Sequence, residues 1–242
     1  TIEQDQIAQA IRACVNEIED DLAIAIKNAA SRAYGTTAGT APVLADFSNA
    51  GKILDDNGAP KTDRHVVLNT TGGTALRNIA NLFKVNESGD STLLRQGILG
   101  NLYGFDLRES AKVSSATAGT GASYTSDTAG YAIGATSITL ITGTGTVLAG
   151  DIVTFTGDTN KYVVTTGVSA PGAIVLAAPG LRVALAASAV AMTIFATSAR
   201  NCAFTRQSVV LATRLPALPK NGDLASDRQV VTDPRTGLSF EF

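Results

Sequence analysis

Side chains able to do covalent or metal chemistry are few in this 242-residue chain, and they stand far apart. The single histidine, His65, would have to carry any histidine-dependent triad alone. It heads the apolar run RHVVLN, a position that suits a strand-end histidine better than a general base. Cys14 and Cys202 form no CxxC pair, which argues against a disulfide framework or a zinc site and fits a reducing compartment. Asp55, Asp56, Asn57 and Gly58 begin like a calcium loop, but the later ligands and the closing glutamate are missing, so a solvated turn is expected. Two glycine groups, Gly97, Gly100 and Gly104 and then Gly143, Gly145 and Gly150, approximate phosphate-binding loops without the GK[ST] ending. They read as turn and bulge glycines. The sequons at Asn69 and Asn86 carry no weight without a secretory context. The expectation is a non-enzyme: no catalytic residue, no cofactor-binding residue and no metal ligand is assigned, and no cofactor is expected.

What remains is a chain built to bury surface. Its 45% hydrophobic content supplies a core, and its net charge of −2 lacks the basic balance of a nucleic-acid binder. No apolar run reaches the roughly 18 residues of a membrane span, and the opening TIEQDQ is unlike a signal peptide.

The elements that must organise this surface begin with a helix. Ile7, Ile11, Val15, Ile18, Leu22, Ile26, Ala29 and Ala33 lie three or four apart, one stripe of a helix roughly 45 to 50 Å long. Thr1 with Gln4 has the form of a capping box, and Gly35 supplies the stop. Such a helix serves as a spine, or as one strand of a coiled coil. A loop follows. Residues 64–69 then predict a buried strand, 74–83 a short helix with Leu76, Ile79, Ala80 and Phe83 inward, and Phe105, Leu107 and their charged neighbours a half-buried strand ending near Ser110.

Composition changes abruptly over 113–198, where only Asp127, Asp151, Asp158, Lys161 and Arg182 are charged. Short β-branched runs at 137–141, 151–155, 161–165, 173–177 and 190–195, separated by glycine turns, predict a small β-barrel or sandwich inserted into an α+β body. Beyond it come a strand at NCAFT, a short helix over 206–213, a break at LPALPK, and a hairpin around DPRTG that ends in the last strand.

In order along the chain, the spine segment with SRAYGT, the strand GNLYGFDLRES, the inserted β unit and AFTRQS resemble the major capsid (coat) protein family of short-tailed bacteriophages. The resemblance implies the tailed-phage capsid fold: a peripheral-domain spine helix and following loop over 1–64, an axial domain over 65–112, an inserted β-domain over 113–198, and the axial return with a peripheral hairpin over 199–242. It implies a structural subunit of an icosahedral head that self-assembles into hexamers and pentamers around double-stranded DNA. Partners would be copies of itself, a scaffolding protein and a portal, with nonspecific DNA contact and no membrane. The location would be the virion capsid, assembled in the host cytoplasm through a precursor shell. Family members carry an N-terminal arm and an extended loop before the spine, and further strands after the position of Phe242, so the chain is expected to continue at both ends. A cellular nanocompartment shell of the same fold, or a glycan-binding adhesin centred on the insert, are the alternatives.

Overall fold

The computed structural model describes residues 2–36, 38, 41–89, 91–215 and 229–241. The first element, α1 (Ile2–Ala29), holds 28 residues without glycine or proline and so runs about 42 Å. It ends four residues before Ala33, where the stripe was expected to continue. The reason is tertiary: β1 (Arg32–Ala33) leaves the helix to pair with β9 (Lys161–Thr166), Arg32 opposite Tyr162 and Ala33 opposite Lys161.

The low-charge region is a nearly closed antiparallel sheet, a small barrel in outline. Its strands are β6 (Thr125–Ser126), β7 (Ser137–Ile141), β8 (Ile152–Phe155), β9, β10 (Gly172–Leu176) and β11 (Met192–Ile194). They lie in the antiparallel order β11-β8-β9-β10-β7-β6. The two ends of that sheet meet: the Ser126 amide donates to Val190 O at 2.8 Å and the Met192 amide to Tyr124 O at 2.9 Å, nearly closing it. Ile138, Leu140, Phe155, Val164, Ile174 and Leu176 fill the interior. The expected strands all appear, because period-2 alternation in β7 and β10 is set by one dry and one wetter face. β8 and β9 do not alternate. Their outer face is buried as well, where Ile152, Val163, Ala177 and Phe195 pack with Ala30 and Ala33 from the end of the spine.

Asp151, 2% exposed, ties the barrel's loops together by accepting from the amides of Leu148 at 2.7 Å and Gly119 at 3.1 Å. Burial raises its pKa above the ordinary carboxylate value, against those hydrogen bonds.

The body is built on a second sheet, in the order β13 (Cys202–Thr205), β2 (Arg64–Leu68), β4 (Phe105–Glu109), β3 (Asn101–Leu102). β2 is central, antiparallel to β13 and parallel to β4. Its inward Val66 and Leu68 meet Phe105, Leu107, Leu76 and Phe47. Buried Arg64 is satisfied by Asp55 at 2.6 Å and by the carbonyls of Pro60 and Ala59. The barrel enters and leaves the body through one short pair, β5 (Ser115–Ala116) with β12 (Ser198–Ala199).

Several expectations need correction. The segment after the spine is not only loop, since it contains α2 (Leu44–Asp56), which buries Phe47. The helix expected over 74–83 is two: α3 (Thr70–Arg77) starts earlier because Asn69 accepts from the Gly72 amide at 2.7 Å, and α4 (Ala80–Phe83) follows a break at Asn78, with Ala80 exposed. Two further short helices, α5 (Val85–Ser88) and α6 (Thr92–Gln96), precede β3. The helix expected over 206–213 is a single 3-10 turn at Arg206–Ser208, because β-branched Val209 and Val210 have no helical face to bury. The terminal hairpin forms from β14 (Val230–Thr232) and β15 (Ser239–Glu241), its turn held by Asp233, which accepts from Arg235 N and Thr236 Oγ1. The Thr1–Gln4 cap, the inward side chain of Phe83, LPALPK after Leu215, and Phe242 lie outside the described residues.

Two predictions test this architecture. A Cβ at Gly167 would overlap the Val147 carbonyl oxygen across a backbone bridge, so Gly167→Ala should lower barrel stability by about 3 kcal/mol in denaturant titration. The Arg64 hydrogen bond holds the Asp55 carboxyl below its ordinary value, so its contribution is present above the unfolded pKa and lost as pH falls through the folded one. The thermal midpoint should therefore fall more steeply below about pH 4 in the native chain than in Asp55→Asn. Parallel profiles would refute that assignment.

Candidate assembly surface

The structure disperses the residues singled out for chemistry. His65 lies half-buried on β2 with Nδ1 3.5 Å from Asp106 Oδ2, while Asp106 also accepts from Arg108 at 2.8 Å. Its other neighbour is the Phe204 ring, 6.3 Å away. No nucleophile completes a relay with it among these contacts. Asp55 and Asp56 end α2, Asp55 facing Arg64 and Asp56 facing Lys52 at 2.7 Å. Among the described residues, no three His, Cys, Asp or Glu side chains converge as a metal site would need.

The glycine groups serve backbone geometry. Gly97 ends α6 with φ 69°, and Tyr103 with Gly104 turns β3 into β4 through two positive-φ residues, the geometry of a tight hairpin. Gly143 and Gly145 lie against Tyr124 and Thr120, too close for side chains.

The surface feature that stands out is α1. Ile11, Val15, Ile18, Leu22 and Ile26 are half-buried, Ile7 is 49% exposed, and none of residues 6–29 is fully buried. An amphipathic helix of this length normally loses its apolar stripe to a neighbour. Here the body covers it only towards its C-terminal half, where Glu19 accepts from Ser110 Oγ at 2.6 Å.

Beside that half, α1 and β13 form the walls of a groove of about 370 Å³, lined by Leu22, Ile26, Val67, Val113 and Phe204 among others. Cys202 lies in it, its thiol pushed up to about 11 by burial and only partly offset by Lys27. Cys14 is exposed on the helix. The spine's half-covered stripe was legible as a periodicity; the groove was not, because it joins residues from four separate parts of the chain.

No family model matches this chain, and no curated protein is similar to it. Among solved structures, a chain from Mycobacterium phage Che8 aligns with 81% of this chain at 18% identity and a TM-score of 0.41, a likeness that assigns neither fold nor activity. This chain spans about 60% of the length of that one.

Proposed function

We propose that the chain is a structural subunit of an icosahedral bacteriophage head, assembling into hexamers and pentamers that enclose double-stranded DNA. The observation that carries this reading is the half-covered stripe of α1, which leaves Ile7 exposed and Ile11, Val15 and Ile18 without a fully dry environment. Taking such a side chain from full exposure to full burial is worth about 1.5 to 3 kcal/mol, so a row of four that still has part of that burial to gain favours a packed partner over water. The ordered resemblance from SRAYGT through GNLYGFDLRES to AFTRQS supports a coat subunit over other assembly-forming proteins.

Mechanically, the function needs no chemistry. Contacts that are weak singly become stable when closed symmetry repeats them. A scaffolding protein would guide the curvature of a precursor shell, a portal would admit DNA, and the nucleic acid would meet the inner wall without sequence readout. The barrel rides on the spine as a fixed attachment, since β1 and the outer face of β9 lock it to the end of α1.

Negative-stain microscopy of the full-length natural protein co-produced with its scaffold should show closed shells, and a persistently monomeric product would overturn the reading. A Val15→Glu, Ile18→Glu pair should abolish shells while leaving the far-ultraviolet circular dichroism and the barrel's melting unchanged. Shells of normal yield from that variant would remove the stripe from the interface.

A further inference from the structure

We propose that the groove between α1 and β13 receives an acidic amphipathic helix from a partner protein. The inference does not depend on the shell reading, since it concerns the C-terminal half of α1 and the body sheet rather than the stretch from Ile7 to Ile18.

Charge is the first argument. In a chain of net charge −2, the residues lining this apolar groove include four cations, Lys27, Lys112, Arg200 and Arg206, against one carboxylate, Glu19. Glu19 is engaged by Ser110, and among the described residues none of the four cations lies within salt-bridge distance of a carboxylate, although the charge of Arg200 is felt by buried Asp151. Arg200 is the most constrained. Its Nη1 donates to Ser198 Oγ and its Nη2 to Ala196 O at 3.1 Å, but its Nε is buried with no hydrogen-bond partner. Lys27, Lys112 and Arg206 are therefore the cations left to meet an approaching carboxylate, and charge-assisted hydrogen bonds are the strong ones.

Shape is the second argument. One wall is a helix presenting Leu22 and Ile26 one turn apart, and the opposite wall carries Phe204 and Leu211. A space of about 370 Å³ is near the lower end of ligand-pocket volumes, enough for a few apolar anchors but not for a large ligand. Anchors at i, i+3 or i+4 and i+7 of an incoming helix match such a lining, and glutamates on its polar flank would meet the rim. Nucleic acid fits poorly, since Phe204 is the one ring among the lining residues on which a base could stack.

The test uses the whole chain and two fluorescent model peptides of about 18 residues with the same leucine face, one with glutamate on the polar face and one with lysine. The glutamate peptide should bind in anisotropy measurements and the lysine peptide should not. Affinity should fall at least about tenfold between roughly 0.01 M and 1 M salt, as the Debye length shrinks from about 30 to 3 Å. A comparable loss is expected for Lys112→Glu with Arg206→Glu, and the salt series on the native chain decides the matter if that variant does not fold. Bound peptide should also slow alkylation of Cys202 and leave that of Cys14 unchanged. Equal binding of both peptides, salt-independent binding, or an unprotected Cys202 would overturn the proposal. So would protection of Cys202 by raised protein concentration alone, which would make a second copy the occupant.

Discussion

The arrangement turns on a small joint: two residues of backbone, Arg32 and Ala33, paired to the start of β9. A two-residue strand is weak alone, yet this one closes a core in which Ala30 and Ala33 meet Ile152, Val163, Ala177 and Phe195. Ala30 and Ala33 are small, and that lets the backbone of the spine's end approach the outside of the barrel closely. Arg182 adds a second tie by donating from the barrel to Asp56 O at 3.0 Å, at the C-terminal end of α2 where a cation suits the helix dipole. Lys161, the residue paired with Ala33, places its ammonium 5.2 Å from the centre of the Tyr34 ring at the same junction. Spine, α2 and barrel are thus fixed by contacts that none of the three could satisfy by itself.

How far the sequence revealed this follows from where each signal is stored. The barrel strands were legible because each is a local pattern, β-branched residues between glycines, and β7 matches its predicted span residue for residue. The central strand β2 was equally plain. α2 was hidden: it contains Ser48, Asn49 and Gly51, poor helix formers, and of its apolar residues Phe47, Ala50 and Leu54 are the ones packed in the core. The hint available was Asp46, whose carboxylate accepts from the Val43 amide at 2.8 Å and starts the helix. The stop of α1 could not be read locally either, because helix and strand compete for Ala30 to Ala33 and the winner is decided by β9, well over a hundred residues away.

The surface proposed for assembly shows the same division. The periodicity of α1 declares an apolar face, but periodicity says nothing about how much of that face the chain itself covers. Only the body, meeting the helix at Ser110 and along the groove, shows that one end is occupied and the other is not. The cationic rim was less visible still: Lys27, Lys112, Arg200 and Arg206 are isolated charges in sequence and become neighbours only through the β2–β13 pairing and the return of the chain from the barrel.

The β5–β12 pair gives the molecule a further property. Because the chain leaves β4 and returns to β13 through adjacent strands, the body sheet experiences more than eighty intervening residues as though they were one tight reversal. Loop-closure entropy is therefore charged to the barrel's own folding rather than to the sheet's. The body could accept a different insert on the same two-strand stem, or a plain turn, and keep its strand order. What it would lose is the hold on the tail of the spine. The insert is in this sense exchangeable towards the sheet that carries it and irreplaceable towards the helix that opens the chain.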